Sequence, residues 1–145
     1  MKKTKFKILI LLLLLFAPCL AFTQSIRSQL AKQLIAQDPS LVDIYGNRGE
    51  VERRLNVMQF DLNNDRSLEY LVSGVYCGAQ NCPFYIFKRK SGHLEQIPSE
   101  IEGIFVKVLP TKSKGWKDLL FAYHSSSSRE PETKFRFNGY KYVAQ

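Results

Sequence analysis

The stretch Glu69-Tyr70-Leu71-Val72-Ser73-Gly74-Val75-Tyr76-Cys77-Gly78-Ala79-Gln80-Asn81-Cys82-Pro83-Phe84-Tyr85-Ile86-Phe87-Lys88 holds two β-type runs, 69–75 and 83–88, with a short small-residue tip between them. Runs of this length bounded by turn residues read as strands, and a short connection makes two strands antiparallel neighbours. Cys77 and Cys82 then stand at the mouth of the hairpin. Opposed positions there bring two Cα atoms within the roughly 4.4 to 6.8 Å that a disulfide needs. A redox pair would more naturally be Cys-x-x-Cys. A zinc site would need His93 and His124 to converge on both thiols.

Outward from this hairpin the same pattern continues. Downstream, His93 to Ile97, Ile104 to Leu109, Asp118 to Tyr123, Thr133 to Phe137 and Tyr140 to Val143 read as strands. Ser91-Gly92, Pro98 to Gly103, Pro110 to Gly115, Ser125 to Pro131 and Asn138-Gly139 separate them. Asn-Gly supplies the positive φ of a two-residue primed turn, so the last pair is expected to be a tight hairpin. Upstream, Val51 to Phe60 alternates and is expected to be the first long strand, after a turn-rich segment at Gly46, Asn47 and Gly49. Ile26, Leu30, Leu34 and Ile35 recur at helical spacing over 25–37, and Asp38-Pro39 ends that helix. The expected class is α+β, mainly β: a short N-terminal helix followed by an antiparallel meander of about seven to eight strands.

Between the first two strands lies Phe60-Asp61-Leu62-Asn63-Asn64-Asp65-Arg66-Ser67-Leu68-Glu69, an oxygen-rich loop. Carboxylates and amides at alternate positions are what a calcium ion asks of a short loop, and they are also what a plain polar turn uses. With the Leu68 to Val72 strand after it, this string resembles the single acidic loop of FG-GAP and VCBS-type repeats. The resemblance spans about a dozen residues and occurs once. It implies Asp61, Asn63, Asp65 and Glu69 as side-chain calcium ligands, with a carbonyl from residue 67. The family has glycine where Asn64 and Arg66 stand, and a cation at 66 sits poorly beside a metal. Such repeats form propeller blades, and about eight strands are too few to close a propeller. The chain also resembles small exported bacterial proteins that carry one acidic loop, a Cys hairpin and a terminal strand pair.

Compartment is read from the first residues. Lys2, Lys3, Lys5 and Lys7 precede an apolar run, Ile8 to Phe16, and then Ala17 and Ala21. This is the three-part pattern of a secretory signal peptide, 1–21, and the run is short of the about 20 residues that span a bilayer. Cleavage is expected after Ala21, which leaves residues 22–145 as one domain. A lipoprotein signal would instead cut before Cys19 and acylate it, but Pro18 and Phe16 stand where that signal wants other residues. The short Lys-rich start is of bacterial type, so the mature protein is expected in a periplasm or outside the cell. Four of the 21 basic residues leave with the signal and all 13 acidic ones stay, so the remainder carries about +4. A balance this mild in an exported chain excludes a nucleic-acid partner as the working reading.

Catalytic patterns are thin. His124 precedes Ser125 to Ser128, with Asp118 upstream, but there is no Gly-x-Ser-x-Gly elbow and the serines read as a loop. Glu69, Glu95, Glu100, Glu102 and Asp118 offer no marked carboxylate pair. A binding surface is better supported. If one face of the sheet is open, Tyr85, Phe87, Tyr140 and Tyr142 would lie beside Lys88, Arg89, Lys90, Lys107 and Lys141 and suit a glycan, an anionic envelope polymer or a protein. The expected function is thus a small exported non-enzymatic domain binding an envelope or secreted partner. Its alternatives are an inhibitor or accessory subunit of an extracellular enzyme with the Cys77 to Cys82 hairpin as its tip, a calcium-binding module, and a hydrolase with an unrecognised site.

Overall fold

The computed structural model describes residues 26–79, 81–124 and 131–145; the expected signal peptide and the four serines lie outside them. The chain forms two compact units, Met1–Glu52 and Arg53–Gln145. In the first, helix α1 covers residues 26–37 and buries Ile26, Leu30, Ala31 and Leu34, the stripe that helical spacing calls for. Helix α2, Ser40–Tyr45, follows at once, and Asp38 Oδ1 accepts the Ser40 N–H at its start. Helix α3, Arg48–Arg54, then runs across the boundary between the units.

Helix α3 corrects the sequence reading, which began a strand at Val51. Asn47 Oδ1 accepts the Glu50 N–H at 3.1 Å, a side-chain cap that starts a helix three residues downstream. Val51 and Leu55 are spaced four apart, and both are buried. The alternation therefore holds only for the second half of the segment, strand β1, Asn56–Phe60.

The second unit is a seven-stranded sheet in chain order: β1, β2 (Glu69–Ser73), β3 (Cys82–Lys90), β4 (His93–Ser113), β5 (Trp116–Ala122), β6 (Glu132–Phe137) and β7 (Tyr142–Ala144). All consecutive pairs are antiparallel, as expected for short connections. The sheet is not a pure meander, because β7 also pairs in parallel with β4 at Ser99 and Tyr142. That bridge joins β4, β5, β6 and β7 into a ring.

Two expected strands and their connecting turn are one element, the 21-residue β4. Pro98, Gly103 and Pro110 lie within it and do not end it. Its first half pairs with β3 and its second half with β5, and the ladder slips between Phe105 and Lys107 and again between Val108 and Lys112. Gly103 sits where the partner changes. Its φ is 140°, and a Cβ there would lie 2.5 Å from the Ala122 carbonyl oxygen, so the close approach of β5 requires glycine. The terminal hairpin is also looser than expected. Phe137 pairs with Tyr142, and residues 138–141 between them are pinned by Asn138 Oδ1, which accepts the N–H groups of Tyr140 and Lys141.

The core of this unit gathers Leu62, Leu71, Phe84, Ile86, Ile97, Ile101, Leu119, Phe121, Phe135 and Tyr142. Phe121 stands at its middle, with ring contacts to Phe84, Phe105 and Phe135 at 4.9, 5.5 and 5.6 Å. The Cys77–Cys82 disulfide is formed as expected, with Cα atoms 4.1 Å apart, slightly closer than the usual range. No helix among the described residues is long and apolar enough to cross a membrane.

Candidate functional site

The acidic loop is built from its own side chains. Asn63 Oδ1 accepts the Asp65 N–H at 2.9 Å, Asp65 Oδ1 accepts the Ser67 N–H at 2.7 Å, and Asn63 Nδ2 donates to Asp65 Oδ2 at 2.8 Å. These are Asx turns in series, the local bonding that favours Asp and Asn in loops. Asp61 Oδ2 accepts the Arg66 N–H at 3.3 Å, and Glu69 Oε2 accepts the Leu62 N–H at 2.7 Å. The two positions at which the repeat resemblance has glycine, Asn64 and Arg66, both take left-handed backbone, φ 62° and 70°. The chain makes the sharp turn without the residue best suited to it. No three His, Cys, Asp or Glu side chains among the described residues group to hold a metal ion.

The carboxylates have opposite environments. The Ser67 backbone N–H, then the Asn63 side chain, hold the exposed Asp65 carboxyl below its ordinary range. Glu69 is buried, and burial pushes its carboxyl up; the Leu62 N–H pulls against this while the charges of Asp65 and Asp61 add to it. The loop is also docked against the start of β5. Lys117 Nζ donates to the Asp61 carbonyl at 2.8 Å, the Lys117 N–H donates to the Leu62 carbonyl at 2.7 Å, and the Tyr142 hydroxyl donates to the Lys117 carbonyl at 2.8 Å. One lysine on β5 thus ties the loop to β7. Burial, with Glu69 and Asp118 nearby, raises the Tyr142 hydroxyl well above the ordinary tyrosine range, so it stays a donor.

A raised carboxyl is a stability statement. Below the ordinary glutamate value of 4.5 Glu69 is neutral in both states, and as pH climbs through its higher folded value the charge destabilises the fold. Glu69→Gln keeps an acceptor for Leu62 and removes that charge. The variant is expected to melt higher than the parent at pH 8, by about 1 kcal/mol, and to match it near pH 4. Millimolar calcium or chelator is expected to leave the parent's midpoint unchanged. A calcium-dependent rise in the parent that Glu69→Gln abolishes would make Glu69 a ligand, since an ion bound only by the folded state must stabilise it.

The aromatic and basic surface that an open sheet face would have made does not assemble. Phe87 and Tyr142 are buried, because both faces of the sheet are covered at these positions. Tyr85 is half-buried, Tyr140 stands exposed, and Lys88 is paired with Glu95 at 3.7 Å. Arg89 donates to the Gly92 carbonyl in the β3–β4 turn. His124 is gripped through its backbone: its N–H donates to Asn81 Oδ1 at 2.9 Å and its carbonyl accepts from Asn81 Nδ2 at 3.3 Å. Asp118 lies away from any such pairing, with Oδ2 taken by Thr111 Oγ1 at 2.6 Å and Lys134 Nζ at 2.9 Å.

A different surface is present on the outer side of β4, β5 and β6. Cross-strand partners share a face, so the register sets Ile104, Ala122 and Glu132 in one row and Lys107, Leu120 and Lys134 in the next. Asp118 and Arg136 continue the face beyond them, their polar groups 3.9 Å apart. Ile104 and Val106 are 40% and 41% exposed. The residue slip at Phe105 and Lys107 turns Val106 and Lys107 to the same side, which no alternation count over 104–109 reveals. Burial would raise the Asp118 carboxyl, but Thr111, Lys134 and Ser113 outweigh it and hold it below the ordinary range. Asp118 in turn fixes the lysine that borders the apolar pair. No family model, curated protein or solved structure matches the chain.

Proposed function

We propose that this chain is a small exported, non-enzymatic domain that binds a secreted or envelope partner through the outer face of β4 to β6. The observation that carries the reading is Ile104 and Val106 exposed side by side on a strand whose opposite face is core, bordered by Lys107 and the Asp118-held Lys134. Exposed apolar residues rimmed by ordered polar groups are what a recognition surface needs. The cationic border selects a partner that carries negative charge beside its apolar contact. The disulfide hairpin supports an exported setting, since such bonds persist in oxidising compartments.

Capture from secreted and periplasmic extract with Ile104→Asp/Val106→Asp as the control tests this. The parent is expected to retain a partner that the variant loses by about tenfold or more, with the thermal midpoint of the two alike. Equal retention by both proteins would sink the proposal. A second reading, an enzyme inhibitor using the hairpin tip, is supported by Tyr76, which is 37% exposed beside exposed Cys77, Gly78 and Ala79. In that case Tyr76→Ala, and not the β4 variant, would release the partner.

A further inference from the structure

Strand β1 has one neighbour among the described strands, whereas every other strand of the sheet has two or more, because the parallel bridge of β7 to β4 closes what would have been the second edge. None of the five β1 residues is buried, while all five of β2 are. Edge strands invite pairing, and proteins blunt them with charges, prolines or bulges. Asn56-Val57-Met58-Gln59-Phe60 has no charge and no proline, and its pairing with β2 runs without a slip.

The residues flanking β1 name the partner. Arg53 and Arg54 precede the strand, and Asp61 and Asp65 follow it. We infer that β1 pairs antiparallel with β1 of a second copy of this chain, about a two-fold axis at Met58. In that register Asn56 faces Phe60, Val57 faces Gln59, and Met58 faces itself. The arginines that close helix α3, Arg53 and Arg54, then lie at the same end of the ladder as the acidic loop of the second copy, with its Asp61 and Asp65, and the same arrangement recurs at the other end. Opposed residues have positions of equal parity. Whichever alternate N–H and C=O groups point away from β2, both copies offer the same set, so the ladder closes without unmatched groups. A parallel pairing would instead set arginines beside arginines.

The contact is small, below the about 1,200 Å² of a standard interface, so association is expected to be weak, between about 10 µM and 1 mM. Sedimentation of the purified protein over that range is expected to show the molar mass doubling, with added salt shifting the balance toward monomer. In a Cys19→Ser background, Met58→Cys is expected to give a reducible covalent dimer and Gln59→Cys is not, since position 59 faces 57. A chain that stays monomeric up to about 1 mM overturns the inference. So does a dimer in which Gln59→Cys cross-links as readily as Met58→Cys, or a monomer that takes up an extended peptide along β1 in place of its own copy.

Discussion

Phe121→Ala is expected to lower unfolding stability by about 4 kcal/mol. The ring is 1% exposed and touches Phe84 from β3, Phe105 from β4 and Phe135 from β6, so its removal opens a void that no single strand can fill. The edge-on contacts with Phe84 and Phe135 are lost with it, each worth about 1 kcal/mol beyond the buried area. Urea unfolding measures the change as a lower midpoint at unchanged slope. A loss under about 1 kcal/mol, typical of a surface site, would mean that Phe121 is not central to this core. The next residue along β5, Leu120, lies on the opposite face, so Leu120→Ala serves as a neighbouring control with a smaller expected cost.

Removing the Asp118 carboxylate is the second large effect. Asp118→Ala is expected to cost about 2 to 3 kcal/mol at pH 7, less than a fully buried pair would, because Lys134 and Arg136 keep partial contact with water. Thr111 also loses its acceptor. The folded carboxyl is held below the ordinary aspartate value of 3.8, so its contribution is complete above that value and fades as pH falls through the lower folded one. Parent and variant are therefore expected to converge in acid. A double-mutant cycle with Lys134→Met is expected to cost less than the two single changes added together. Strict additivity would show the pair to be uncoupled, and a gap between parent and variant that persists at low pH would show the loss to be one of packing. The same variants probe the proposed binding face, whose border lysine Asp118 positions.

How much of this was legible before the fold was known depended on distance along the chain. The hairpin at 69–88 and its disulfide were, because the signals lie within a few residues of each other: branched and aromatic runs, a small-residue tip, two cysteines at its mouth. Helix α3 was missed where local cues competed. Val51, Arg53 and Leu55 fit a two-residue period, and the Asn47 cap with Glu50 three residues on was the sign that should have decided for a helix. In β4 the prolines and Gly103 read as turns, yet flanking strands supply enough ladder on either side to carry the chain through them. The outer face of β4 to β6 was out of reach for a different reason. Ile104, Lys134 and Asp118 become neighbours only through the register of three strands, and the residue slip that turns Val106 outward is a property of pairing, not of composition. Phe87 and Tyr142 mislead in the opposite sense, since one strand's alternation cannot say whether its second face is covered.

The parallel bridge between Ser99 and Tyr142 also bears on the order of events in time. Tyr142 follows Ser99 by 43 residues in the chain, so β4 exists well before the strand that completes its ring does. Contacts this distant in sequence form late, because the intervening chain must be ordered before they repay its entropy. During synthesis β4 therefore waits with part of its backbone unpaired, a stage at which exposed strand edges invite aggregation. The three residues of β7 act as a closing latch, and the fold passes its most vulnerable point only when they arrive.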